Sequence, residues 1–155
     1  LEGGHRVPFL ASWPEGGIKD GRRVDAILSL TDLFATFAGI AGVALEEGVA
    51  EDSLDILPSL SAGKPVRTEL VYHASNGRLG LRQGDWAYLR PKGNTPEPEW
   101  FQQYWQGDSL DAPALLFDLS ADLAQKKNLH DQHPERVKQM EQRLAEIAGD
   151  CKIAR

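Results

Sequence analysis

The sequence predicts an α+β fold in which an antiparallel sheet toward the C-terminus is packed by one long helix, and three observations carry that expectation. Four short apolar runs, at 70–74, 78–83, 86–90 and 115–119, have strand length and are separated by turn residues. Gly84-Asp85, between the second and third runs, is hairpin chemistry. After Pro134, a residue suited to a first helical turn, Val137, Met140, Leu144, Ile147 and Ala148 fall on one helical face, and Gly149 ends the pattern.

The N-terminal part reads differently. Glu2-Gly3-Gly4-His5-Arg6 is a sharp turn, since two glycines permit backbone conformations closed to other residues. Val7 to Trp13 reads as a buried strand, with Pro8 near its start, and Pro14-Glu15-Gly16-Gly17 as a turn. Gly21-Arg22-Arg23 closes that loop, and Val24 to Leu28 is a second short extended piece. A helix is expected over 30–41, with Ser29 and Asp32 as a variant capping box and Gly42 as the stop. Leu30, Leu33, Phe34, Phe37, Ile40 and Ala41 form its apolar face, which needs a partner; the strand carrying Phe9 is the expected one. Residues 43–69 read as irregular, pinned by Leu54, Ile56, Leu57 and Leu60. Pro91 to Pro113 has no period, and a loop of that length inside a domain is usually functional or disordered.

Composition narrows the function classes. The chain has 155 residues, and at 41% hydrophobic it has material for a core. Its net charge of -6 argues against general nucleic-acid binding, which needs a basic face. A single cysteine, Cys151, excludes an internal disulfide framework. No apolar run approaches the roughly 18 residues of a membrane span. Met140 is the one methionine, so the chain is expected to be a piece of a longer protein, and a missing signal peptide says nothing of compartment.

Several segments, in order, resemble the sulfatases. Glu2-Gly3-Gly4-His5-Arg6-Val7-Pro8 resembles that family's Glu-Gly-Gly-x-Arg-x-Pro turn, which leads into a core strand just after an active-site lysine. Thr31-Asp32-Leu33-Phe34-Ala35-Thr36 is similar to Thr-Asp-Leu-x-Pro-Thr, with Ala35 for proline. Asp52-Ser53-Leu54-Asp55-Ile56 stands where Asp-Gly-x-Ser-Leu is usual, with the glycine and the serine both changed. Arg82-Gln83-Gly84-Asp85-Trp86 is similar to the Arg-x-Gly-Asp-Trp-Lys hairpin, with Ala87 for lysine. Leu116-Phe117-Asp118-Leu119-Ser120-Ala121-Asp122 and Asn128-Leu129 resemble the Leu-Tyr-Asp-Leu-x-x-Asp strand and its Asn-Leu, while Leu123 and Gln125 replace a proline and a glutamate.

The resemblance implies that residues 1–66 complete a larger α/β catalytic domain, as a strand-helix piece, and that 67–155 form a small C-terminal subdomain. It implies hydrolysis of sulfate esters by a formylglycine made from Cys or Ser, with a divalent metal, usually calcium, held by hard oxygen ligands. Both are expected in a missing N-terminal part and no cofactor in this piece, which is therefore expected to be inert alone. The implied partners are the rest of the catalytic domain and a sulfated small molecule or glycan, without nucleic acid or membrane. Two other readings stand beside it: a phosphonate or phosphodiester hydrolase of the wider alkaline-phosphatase-like superfamily, and a non-catalytic binding module.

Candidate chemistry is sparse. Cys151-Lys152-Ile153-Ala154-Arg155 has the Cys-to-Arg spacing of the modification motif but Ile153 where Pro or Ala is required, so it reads as a tail. Asp52 and Asp55 read as loop or cap residues before cation ligands, and His130 and His133, next to Pro134, as surface residues before a metal pair. Five residues remain as substrate-lining candidates. His5 either serves a pocket or stabilises its turn, and Arg6 either pairs with Glu2 or recognises an anion. His73, at a strand end beside Ala74-Ser75-Asn76-Gly77, either reaches a sulfate or sugar hydroxyl or is structural. Trp100 and Trp105, with Phe101 and Tyr104 between them, either pack on the catalytic domain or form a substrate-facing lid.

Overall fold

The two-residue Gly84-Asp85 turn sets the register of the sheet. Gly84 takes φ +56, a left-handed conformation that favours glycine, and Gln83 faces Trp86 across it. In the computed structural model, which describes residues 1–74, 77–91 and 99–150 (side chains of Gln102 and Asp150 aside), strands β1 (Glu69–His73), β2 (Leu79–Gln83), β3 (Trp86–Leu89) and β4 (Leu115–Asp118) lie in that order in one four-stranded sheet. β2 and β3 pair antiparallel, Leu81 opposite Tyr88, as do β3 and β4, Ala87 opposite Phe117. Only a few residues join β1 to β2, too few for a parallel crossover. The expected Ser75-Asn76 turn, residues 92–98 of the expected long loop and the Cys151–Arg155 motif lie outside the described residues.

Alternation along the strands divides the core between the two faces of the sheet. One face carries Tyr72, Ala87, Leu89, Leu115 and Phe117, with Leu119 just past β4. The other carries Leu81, Tyr88 and Leu116 against Met140 and Leu144 of the long helix, here α4 (Pro134–Asp150). This is the expected α+β arrangement of sheet and C-terminal helix. Arg136 of α4 sits 4.6 Å over the Trp86 ring, a cation–π contact that helps orient the helix. Gly80 is required by close approach: a Cβ there would stand 2.5 Å from the Tyr72 ring.

The chain divides into two compact units, Leu1–Val7 with Val71–Arg155, and Pro8–Leu70. The second contains α1 (Asp32–Ile40) and α2 (Leu57–Ala62), a short helix inside the stretch expected to be irregular. The expected strand over Val7–Trp13 is not formed: only Trp13 makes a bridge, to Ile18, and Leu10 is 96% exposed. Nor does Phe9 cover α1, since Leu30, Phe34, Phe37 and Ile40 all remain exposed. The face of α1 that is buried is polar instead.

Asp32, fully buried, accepts from the Ser29 amide (2.8 Å), the Leu54 amide (3.1 Å) and Arg67 Nε (3.0 Å), with Arg67 Nη2 also donating to it. Thr36 Oγ1 donates to the Asp32 carbonyl and accepts from the Ile56 amide. Burial alone would push the Asp32 carboxyl up; the Arg67 hydrogen bond, the two amides and the Arg67 charge overcome this and hold it below the usual carboxylate range.

Candidate functional site

The Glu-Gly-Gly turn is fastened through its glutamate. Glu2, 6% exposed, accepts from Arg6 Nε (2.9 Å) and Nη2 (2.7 Å) on one carboxylate oxygen. The other oxygen faces Arg82 Nη1 of β2 at 3.2 Å and His5 Nε2 at 3.6 Å. Burial pushes this carboxyl up, but His5, Arg6 and Arg82 together hold it down, to about 2. The His5 ring lies on Tyr72, centroids 4.2 Å apart. The Tyr72 phenol is pushed up, by burial first and by the Glu2 charge second.

The turn thereby becomes one wall of a cavity of about 790 Å³, within the roughly 300–1,000 Å³ usual for small-molecule sites. All five substrate-lining candidates, His5, Arg6, His73, Trp100 and Trp105, line it. The cavity lies at the end of the sheet where His73 of β1, Leu89 of β3 and Leu115 of β4 come together. Sequence reasoning missed Arg78, which also lines it: the residue is 4% exposed, and its Nη2 donates to the Leu110 carbonyl at 2.5 Å.

The aromatic wall rests on α3 (Glu99–Tyr104), a helix within the stretch expected to be a loop. The Phe101 and Trp105 rings stack at 5.5 Å with a 16° tilt, and Trp100 meets Phe101 edge-on. Trp105 is fixed from below. Its indole N–H donates to the Asp108 carbonyl at 2.9 Å, and Gly107 lets the chain pass so closely that a Cβ would stand 2.3 Å from the ring. Asp108 is itself tied to the Lys126 carbonyl and the Asn128 amide. Trp100, by contrast, is 65% exposed. A lining that combines guanidinium and imidazole groups with indole rings suits a ring-shaped polar ligand with an anionic substituent.

The remaining candidates go elsewhere. His130 Nε2 faces Asp131 at 3.3 Å while His133 meets the edge of Trp86, so these two do not form a metal pair. Asp52 offers its carbonyl to Arg67, and Asp55 accepts the Leu57 amide at 2.9 Å. Among the described residues no three His, Cys, Asp or Glu side chains converge on a common point. The oxygen cage that calcium needs does not fit these donors.

No protein-family model matches the chain. It is 33% identical over 148 residues to an N-acetylgalactosamine-6-O-sulfatase of Bacteroides thetaiotaomicron, covering 94% of this chain and 28% of that protein. It is 30% identical over 162 residues to arylsulfatase K of Xenopus laevis, covering 99% of this chain and 28% of that one. It thus spans little more than a quarter of these relatives. A solved Bacteroides thetaiotaomicron structure, from a locus for metabolism of multiple glycosaminoglycans, superposes with a TM-score of 0.66 at 31% identity, over 80% of this chain and 25% of that one. At these identities, over nearly the whole of its own length, the chain belongs to the sulfatases.

Proposed function

We propose that this chain is part of an enzyme that hydrolyses the sulfate ester of a sugar, and that its cavity holds the sugar. The carrying observation is the cavity itself, a space of ligand size whose lining includes His5, Arg6 and His73 together with Trp100 and Trp105. A pyranose has apolar C–H faces for indole rings and a hydroxyl or sulfate edge for imidazole and guanidinium donors. Sulfated amino sugars are the leading class, on the likeness to the N-acetylgalactosamine-6-O-sulfatase. The formylglycine and calcium belong, in this reading, to another part of the protein. Residues 1–155 alone then bind the sugar without turning it over. Titration with N-acetylgalactosamine 6-sulfate should quench tryptophan fluorescence saturably, and an aryl sulfate should release no phenol above a buffer blank. A flat titration removes the sugar-binding reading, and turnover removes the claim of inertness.

The unit Pro8–Leu70 supports a partner for the second half of this reading. Leu10, Leu30, Phe34 and Phe37 are between 55% and 96% exposed. Large apolar side chains exposed to this extent are the material of an interaction surface. We assign it to the remainder of the catalytic domain. Without that domain the 155-residue chain should self-associate, with a mass by light scattering that rises with concentration. A monodisperse monomer would favour the stand-alone binding module.

A further inference from the structure

Gln125 combines three unusual properties. It is fully buried. Its φ of +57 is left-handed, a conformation that strains a residue other than glycine. Its side-chain oxygen accepts the backbone N–H of Glu2, across 123 positions of sequence, while its Nε2 has no partner among the described residues. A strained residue with an incompletely satisfied side chain persists only where its surroundings hold it.

What it joins is informative. On one side is the Glu2 turn, which carries His5 and Arg6 into the cavity. On the other is its own loop: Leu123 and Ala124 line the cavity, and the next residue, Lys126, accepts the Asp108 amide through its carbonyl. Asp108 in turn accepts the Trp105 indole N–H. A continuous chain of bonds therefore runs from the basic wall through Gln125 to the aromatic wall.

We propose that Gln125 is a positioning residue that fixes the two walls of the cavity relative to each other. It touches no ligand itself; it acts through the Glu2 turn and the Asp108–Trp105 bond. The role of the cavity rests on the sugar-binding reading above, but the coupling of the walls does not.

The test uses the 155-residue chain and two variants. Gln125→Gly relieves the backbone strain but removes the link, leaving the Glu2 amide without this acceptor and a void where the side chain was, so lost stability alone does not report the coupling. Gln125→Glu keeps the acceptor, and glutamate is the residue the family pattern carries here. In two-dimensional NMR spectra, Gln125→Gly should shift both the His5 ring and the Trp105 indole resonances, and Gln125→Glu should restore both. Titration with N-acetylgalactosamine 6-sulfate should show at least tenfold weaker binding for Gln125→Gly and a return to within threefold for Gln125→Glu. If either resonance stays in place in Gln125→Gly, the coupling is wrong, whatever the titration shows. If both resonances move and the wild-type chain gives no saturable quenching, the coupling stands and the sugar-binding reading falls. If both move and Gln125→Gly binds as the wild type does, the positioning role is overturned.

Discussion

Replacing Arg67 by alanine should unfold the Pro8–Leu70 unit more readily than any single apolar truncation there. Asp32 is fully buried and Arg67 brings a guanidinium to its carboxylate, through Nε and Nη2. Removing one member of such a pair leaves a charge without compensation, at a cost of about 3–5 kcal/mol. Arg67→Lys should recover little of it, because a point ammonium cannot reproduce the fork that also reaches the Asp52 and Glu69 carbonyls. Amide exchange at Leu54 and Ile56 reads the effect locally, since those N–H groups donate to Asp32 and Thr36. Unchanged protection in Arg67→Ala would show that the pair is not what holds the unit. Acid should act in the same direction. The folded Asp32 carboxyl lies below its ordinary 3.8, so its contribution is complete above that value and is lost as pH falls through the folded one.

That pair also explains why α1 was legible as a helix but not as a packed element. Its period correctly marks Leu30, Phe34 and Phe37 as one face, yet that face is exposed, and the buried side is built from Asp32 and Thr36. Periodicity reports which residues share a side, not which side this chain covers. Two of the departures from the family pattern meet in one contact. Ala35, where proline is usual, donates its amide to Ser53 Oγ at 2.9 Å, and Ser53 stands where glycine is usual. Proline has no N–H and glycine no hydroxyl, so the two changes make a bond that neither usual residue permits.

The sheet was more legible because its signals are local: a hairpin turn, alternation, and a helix begun by proline. Asn128 shows how a motif residue serves that fold. Its Oδ1 accepts the Leu116 amide and its Nδ2 donates to the Ala114 carbonyl, extending the pairing at the edge of β4. The five candidate residues are chosen by residue type and turn chemistry. Their meeting in one cavity depends on contacts between residues far apart in the chain, such as Glu2 with Arg82 and with Gln125, which no local pattern encodes. Arg82, read from the sequence as hairpin structure, does clasp the Gly84 carbonyl, but it also secures the N-terminal turn.

Glu2→Gln should therefore weaken both the fold around the sheet and the basic wall of the cavity. The carboxylate carries Arg6 on one oxygen and faces Arg82 and His5 on the other. Glutamine keeps the shape and removes the charge, leaving the Arg82 guanidinium, 15% exposed, without its buried counter-ion. A loss on the order of 2–3 kcal/mol is expected. The pH dependence distinguishes this from a packing defect. In the wild type the Glu2 carboxyl is lowered from 4.5 to about 2 on folding. The unfolded chain thus takes up the proton first, and stability contributed by Glu2 is complete above about 4.5 and lost as pH falls toward 2. In urea denaturation series between pH 6 and pH 2, the wild type and Glu2→Gln should differ most at pH 6 and converge in acid. A gap that stays constant across the series would assign the cost to shape and not to the charge that Arg6, Arg82 and His5 surround. A variant that loses no stability at pH 6 would show that the Glu-Gly-Gly turn holds its place without its glutamate.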